Sequence, residues 1–419
     1  VSDIVFLVES VDRYGRPYTI GDRLKSLSPE WIEHYNSEII STYVSCIGKK
    51  ITFQPYSSVH SFDANKKYYY FIVIDHFNHD FAVYFQMLGK SKLKRLHDNN
   101  IPLYFAHDTE TIPHVEYSTF VKQLEWLFLM RNVYSDVHNE IIVATTGGLV
   151  PRQSDFIKQY FYNRFKFIQT PLILKYSVNE LISTCPTEDE IERLNSTLKY
   201  RQFIFLNRAA RYHRTMLLHG IRAQGLIDNG YISYTGACHY DANTIISQTD
   251  YARAVRDDVN RGPLPILKLD EYEFTDNRPR SIPLSLQQLW RSYYDIVSET
   301  GVLYSIPDHL DLTIVSEKTA KSMLLMRPFM VNGGPYVLKT LQRWGFKTYD
   351  FIFDESYDIK ENVIDRHEII LNNVKRYRDN LNDLDNVMID AKKISKYNRH
   401  HLLNADYEQL LINELVSIQ

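Results

Sequence analysis

The stretch Phe203–Arg214 reads F-I-F-L-N-R-A-A-R-Y-H-R. A short apolar run ends on a polar residue and gives way to a helical pattern, the signature of a buried strand turning into a helix. Arg208, Arg211 and Arg214 follow at i, i+3 and i+6, which stacks three guanidiniums along one side of a helix. Arginine forks suit phosphate oxygens, and they equally suit salt bridges on a solvated helix face.

The same unit recurs outward in both directions. The N-terminal half holds apolar runs at Ile4–Val8, Tyr69–Ile74, Pro102–Ala106, Ile141–Ala144 and Pro171–Leu174. The C-terminal half holds Phe203–Leu206, Tyr231–Tyr234, Tyr294–Val297, Leu312–Val315, Phe329–Val331 and Tyr349–Phe353. Short runs separated by helical segments predict an α/β fold with two Rossmann-like, doubly wound parallel sheets. With 419 residues the chain exceeds the ~250–300 that one core supports, so two domains are expected. The switch is placed at Ser183–Glu192, S-T-C-P-T-E-D-E-I-E, where a turn-like proline precedes an acidic helix start. This gives α/β domains over 1–185 and 186–365. From about Glu361 no strand-like run occurs, and 366–419 reads as amphipathic helices packing back on the body.

Composition narrows the classes. Apolar residues make up 44% and charged residues 24%, which excludes disordered, collagenous and coiled-coil proteins. With 48 basic and 51 acidic side chains the net charge is −3, so global charge does not hold nucleic acid, although a local basic groove could. Three separated cysteines make no disulfide framework and fit a reducing compartment. No run reaches the ~18 apolar residues of a membrane span. Asp3, Glu9 and Asp12 argue against a secretion signal at the first residue, so a cytoplasmic setting is expected.

In open parallel sheets, ligands bind beyond the carboxyl ends of the strands. In the first half those ends carry Glu9 with Asp12, Asp75 with His76, and His107 with Asp108 and Glu110. In the second half they carry Asn207-Arg208, Ser298-Glu299-Thr300, Ser316-Glu317-Lys318-Thr319 and Asn332-Gly333-Gly334. The first set is acidic and rich in histidine; the second has cations and glycine turns suited to phosphate. Ser316 is the expected N-cap of a helix with a first-turn acid, a reading that by itself needs no ligand.

The motifs N-R-A-A-R-Y-H-R-T-M-L-L (207–218), Y-D-I-V-S-E-T (294–300), S-E-K-T-A-K (316–321), the long R-P-F-M-V-N-G-G-P segment running to Tyr349, and D-E-S-Y-D (354–358) occur in that order. Together they resemble the nucleotide-sugar-binding half of GT-B glycosyltransferases of the fucosyltransferase-like kind, relatives of which are frequent in tailed phages. The resemblance spans roughly Phe203–Arg366. It implies a GT-B-like arrangement, with 186–365 as the donor domain and 1–185 as the acceptor side. Arg208 and Arg211 would lie near the diphosphate. Lys318 and Lys321 would lie near phosphate, and Glu317 would face the ribose or the donor sugar. Glu299 would lie near the donor, and Gly333 with Gly334 would let backbone approach the nucleotide. Where relatives often carry a proline after the E-K-T-x-K signal, this chain has Ser322 and Met323.

Transfer to a hydroxyl needs a base or a carboxylate near the developing sugar cation. Asp108 and His107 rank first, because F-A-H-D-T-E-T crowds titratable groups at one strand end; Glu9 and Asp75 follow. An N-cap role for Asp108 or Thr109 competes with that reading. The resemblance implies a metal-independent, inverting transfer with no cofactor, the nucleotide sugar being a co-substrate. The D-x-D at Asp383-Leu384-Asp385 falls in the helical tail and reads as a solvated helix face. The cluster Asp75-His76-Asn78-His79-Asp80 has a metal-like composition without metal-like spacing.

Two stretches mix cations with other nucleic-acid features. Lys90–Arg95 is a basic run supplying Lys94 and Arg95, and Gln159–Phe167 interleaves aromatics with Arg164 and Lys166. Three functions follow. One is transfer from a UDP-sugar to 5-hydroxymethylcytosine in phage DNA, in the cytoplasm of an infected bacterium. Another is transfer to a surface glycan or protein. The third is a non-catalytic nucleotide-sugar-fold binding module.

Overall fold

The computed structural model describes residues 3–11, 17–18, 43–44, 50–73, 81–107, 140–145, 147–149, 165–207, 212–234, 287–299 and 312–418. The chain divides into two compact units, Val1–Lys175 with Ile306–Leu312 and Asp406–Gln419, and Tyr176–Ser305 with Thr313–Ala405, so the first crossing falls inside a helix. Each unit is built on its own parallel sheet.

The first sheet has six strands, β1 (Ile4–Val8), β2 (Ile51–Pro55), β3 (Lys67–Val73), β4 (Leu103–His107), β5 (Ile141–Thr145) and β6 (Phe165–Gln169). Their spatial order is β2-β1-β3-β4-β5-β6, all parallel. β1 is buried along its whole length, as a central parallel strand must be when both faces are covered. The aromatic richness of this half goes into the core. Phe6, Tyr69, Phe71 and Tyr104 form a cluster with Tyr43 and Phe53, and the Tyr43 and Tyr104 hydroxyls lie 2.9 Å apart, so both buried phenols are satisfied. Helix α1 (Phe81–Asp98) joins β3 to β4 and breaks its helical course at Gly89, whose φ is +72°.

Helix α2 (Leu172–Leu181) contains the unit boundary, and α3 (Glu188–Asn195), within the second unit, starts on a capping box between Thr187 and Glu190. The second sheet comprises β7 (Arg201–Asn207), β8 (Gly230–Tyr234), β9 (Ser292–Ser298) and β10 (Phe329–Asn332), in the order β8-β7-β9-β10 and again all parallel. Helix α4 (Tyr212–Ala223) leads from β7 to β8; α5 (Glu317–Leu324) and α6 (Val337–Arg343) flank β10 in sequence. Under the sheet, Arg327 is almost wholly buried. It donates to Asp295 at 2.6 Å and to Ser292 Oγ at 2.8 Å, while Ser322 donates to the other Asp295 oxygen at 2.7 Å. Ser322 thus pins α5 to a buried ion pair.

The tail forms α7 (Val363–Arg376), α8 (Asn382–Asn404) and α9 (Tyr407–Ser417). α7 and α8 belong to the second unit and α9 to the first. The Glu408 carboxylate on α9 accepts the N–H groups of Lys50 and Ile51 at 3.0 and 2.7 Å, fixing the start of edge strand β2. Asp385 of the D-x-D accepts a hydrogen bond from Tyr293 at 2.8 Å, and Leu384 is buried, so this motif packs α8 against the body.

Two expected strands are corrected. Pro171–Leu174 belongs to the start of helix α2, and the strand lies just before it, at β6. Tyr349, Ile352 and Phe353 are buried while Asp350 and Phe351 are exposed, and the segment turns rather than extending. Its backbone is held by side chains: Glu355 accepts from the Tyr349 N–H at 2.6 Å, and the Ile352 carbonyl accepts from Tyr377 at 3.0 Å. The strand Leu312–Ile314 is short and stands outside the four-stranded sheet. Among the described residues no helix is long and apolar enough to cross a membrane.

Candidate functional site

Both sheets have a topological switch. From β1 the chain moves to β2 on one side and then to β3 on the other; from β7 it moves to β8 and then to β9. The carboxyl ends of β1/β3 and of β7/β9 are therefore the crevices in which this architecture binds ligands.

At the second switch, Glu299 directly follows β9. The sequence placed it toward the donor, but its side chain is fully buried and turned to the chain itself. Its carboxylate accepts the Ser316 N–H at 3.0 Å and both the Ser316 and Thr319 hydroxyls. Burial raises the Glu299 pKa and the nearby Glu317 charge adds to this, against the lowering by Lys318 and by the Ser316 and Thr319 hydrogen bonds. Glu299 is thus a positioning residue: it clamps the N-terminus of α5 to the end of β9. Ser316 is the N-cap of α5, accepting the Lys318 N–H at 3.3 Å.

That clamp sets the first turn of α5. Glu317 and Lys318 are half-buried and pair at 2.8 Å, and the Lys318 ammonium also reaches Ser316 Oγ at 3.3 Å. Burial alone would raise the Glu317 carboxyl. The Lys318 charge and hydrogen bond, with the Lys321 charge, outweigh it and hold the carboxyl well below the usual range. Glu317 is therefore an anion at neutral pH, an acceptor for hydroxyl groups beside two ammonium groups suited to phosphate.

The floor of this switch is a polar network. His213 Nε2 lies 3.0 Å from the Glu299 carbonyl, and Arg214 donates to the Ser298 carbonyl at 3.3 Å. Arg214, third in the arginine series, is thus buried against the sheet. Asn332 donates to Ser298 Oγ at 3.2 Å, and its carbonyl oxygen lies 2.9 Å from His367 Nε2. Burial, reinforced by the Arg366 charge, lowers the His367 pKa to about 3, so the ring is neutral and its Nε2–H donates. Gly333 follows directly. A Cβ there would lie 3.1 Å from Val331 Cγ1 and 3.2 Å from Glu299 Cβ, so the missing side chain admits Glu299, and Gly334 is buried beside it. The D-E-S-Y-D motif serves the same scaffold: Asp358 caps α6 by accepting the Leu338 and Lys339 N–H groups at 2.9 and 3.0 Å. Arg208 and Arg211 lie outside the described residues.

At the first switch, Glu9 directly follows β1. Its side chain is 9% exposed; it accepts from the Tyr70 hydroxyl and pairs with Lys92 at 2.5 Å. His107 ends β4, in register with Thr145. Asp108, Asp75 and Arg164, with Asp12, His76 and Glu110, lie outside the described residues. Among the described residues no group of three or more His, Cys, Asp or Glu side chains is arranged to hold a metal ion.

The described cations of the two basic stretches have partners within the protein. Arg95 donates to the Val59 carbonyl and packs over Tyr56 and Phe62, so its charge is spent on the loop after β2. Lys94 is exposed and pairs with Asp98 at 3.2 Å, while Lys92 turns inward to Glu9. Lys166 pairs with Glu140 at 2.8 Å near the amino end of the sheet, opposite the ligand-binding edge. A basic run read along the sequence loses its single face because a helix turns successive residues by about 100°.

Sequence missed Tyr70 and His367. Only the fold brings these residues to the switch points; no local motif marks them. No family model matches the chain, and no curated protein matches it. A solved structure of a T4 phage BGT mutant in complex with UDP-glucose aligns over 98% of this chain and 99% of that one, at 10% identity and a TM-score of 0.35. At that score the functional reading rests on this chain's own residues.

Proposed function

We propose that the chain is a metal-independent, inverting glycosyltransferase that takes a sugar from a UDP-sugar and gives it to a hydroxyl acceptor, the hydroxymethyl group of 5-hydroxymethylcytosine in DNA. The observation that carries the donor half is the first turn of α5 at the β7/β9 switch, where ionised Glu317 stands with Lys318 and Lys321. The carboxylate suits ribose or sugar hydroxyls, and the ammonium groups, with Arg208 and Arg211 from the adjoining segment, suit the diphosphate. Gly333 and Gly334 line the same edge. On the acceptor side, Asp108, His107, Asp75 and Glu9 are the candidates for the base. Glu9 is held in place by Tyr70 and Lys92 at its own switch point.

The deciding experiment is nucleoside mass spectrometry after incubation with 5-hydroxymethylcytosine DNA and a pool of nucleotide sugars. A sugar-sized mass gain on the modified base is expected; its absence across the pool removes DNA as acceptor. Glu317→Gln keeps the shape but removes the charge, and should lower kcat/KM by about 10–100-fold, the range for one charge-assisted contact. An unchanged kcat/KM would detach Glu317 from the donor. Glu9→Gln should leave UDP affinity unchanged while lowering kcat, if Glu9 is the base.

One observation favours a second acceptor. Arg95 is held by the Val59 carbonyl and Lys166 pairs with Glu140, which weighs against their serving as phosphate contacts, so a glycan or protein hydroxyl is the alternative. Signal on a saccharide array without DNA binding would select it. A binding module without catalysis would bind nucleotide yet turn over no donor.

A further inference from the structure

β7 ends at Asn207, the central strand's last residue at the second switch point. Its backbone N–H donates to Ser233 Oγ at 3.1 Å. Its side chain does not share in that network. Asn207 is 1% exposed, and neither Oδ1 nor Nδ2 has a hydrogen-bond partner among the described residues. Burying an unpaired amide costs about 1–3 kcal/mol, here at both a donor and an acceptor. A leucine of nearly the same size would remove that cost, so the amide's presence needs another account.

The position supplies one. Asn207 directly precedes Arg208, at the edge where the proposed function places a diphosphate. A phosphate oxygen only accepts hydrogen bonds and would satisfy Nδ2 alone. A hydroxyl both donates and accepts, and would satisfy Oδ1 and Nδ2 together. The ribose flank of the diphosphate already has a hydroxyl acceptor candidate in Glu317.

We propose that the Asn207 amide recognises a hydroxyl of the transferred sugar and is a specificity-determining residue of the donor site. The proposal rests on the UDP-sugar reading above. Among the described residues the amide has no partner, and the correct sugar supplies one. A donor lacking that hydroxyl leaves the amide unpaired and is rejected.

The test compares wild type, Asn207→Leu and Asn207→Ala by calorimetric titration with UDP, UDP-glucose, UDP-galactose and UDP-xylose, together with thermal unfolding. Asn207→Leu is expected to unfold at the same or a higher temperature than wild type and to bind UDP within twofold. Its affinity for the best UDP-sugar should fall at least tenfold. Asn207→Ala provides the same affinity comparison if leucine does not fit. If the variants bind UDP and UDP-sugar as wild type does, the amide holds only buried water and the proposal falls. An equal loss for UDP and UDP-sugar would assign the amide to the nucleotide and also overturn it. If wild type binds none of these ligands, the UDP-sugar reading itself fails, an outcome distinct from unchanged affinity in the variants.

Discussion

Glu299→Ala is expected to destabilise the protein by about 3–5 kcal/mol and to abolish measurable UDP-sugar affinity, because its carboxylate is engaged by Ser316 and Thr319. The stability loss follows from the donors it serves. Ser316 N–H and the Ser316 and Thr319 hydroxyls all converge on one fully buried carboxylate. Removing it orphans them at about 1–3 kcal/mol apiece, less whatever the two hydroxyls recover by rotating, and leaves a cavity. The affinity loss follows from the same bonds, because they fix the turn that presents Glu317, Lys318 and Lys321. Glu299→Gln separates charge from geometry. Burial favours the uncharged carboxyl, so the isosteric amide should keep most of the stability and affinity that alanine loses. Urea unfolding and UDP titration of the three proteins read both effects. If Ala and Gln behave alike, the clamp depends on charge; if Ala binds UDP normally, α5 does not depend on Glu299 for its position.

The contrast between motif and role shows what could be read from the chain. The strand-turn-helix periodicity was legible because parallel strands covered on both faces are continuous apolar runs, as in Ile4–Val8 and Ser292–Ser298. Edge strand β2 was not: in I-T-F-Q-P only Ile51 is buried, so it carries no run to notice. Pro171–Leu174 misled because four apolar residues fit a buried helix as well as a strand. In the candidate site, Ser316 was legible as an N-cap because capping is local. Glu299 was legible only as a residue at a strand end. Its inward turn depends on β9 and β10 lying side by side, with the Glu299 N–H donating to the Asn332 carbonyl at 3.1 Å. The same limit applied to the cations: Lys92 and Arg95 are spent within the first unit by partners distant in sequence. Part of the motif set is scaffold, as Asp358 and Arg327 show, so motif order alone overstates how many of its residues meet a ligand.

The second large effect is on pH dependence, and it comes from His367. Its pKa is about 3 in the folded protein against 6.5 in an unfolded chain, owing to burial and then to the Arg366 charge. The folded state therefore binds fewer protons than the unfolded state between these values. The stabilisation is fully present above pH 6.5 and is lost as pH falls toward 3, at about 1.4 kcal/mol per unit and roughly 3–5 kcal/mol in all. Glu355 has the opposite sign. Burial, with the Asp350 and Asp358 charges, raises its pKa to about 7 against the opposing bonds from Thr348 and Tyr349, so its contribution is present below pH 4.5 and is lost as pH rises through 7. Between pH 4.5 and 6.5 the two slopes oppose each other and hide the histidine in the wild type. His367→Gln keeps a donor for Asn332 and removes the titration. The stability advantage of wild type over this variant should therefore shrink steadily as pH falls from 6.5 to 3, while Glu355→Gln should steepen the wild-type decline between pH 6.5 and 4.5. Denaturant melts at half-unit pH steps measure both. A constant gap between wild type and His367→Gln would mean that the ring is protonated in the folded state. An imidazolium keeps its Nε2–H, so the bond to Asn332 would survive, and burial would not be what sets the charge of the ring.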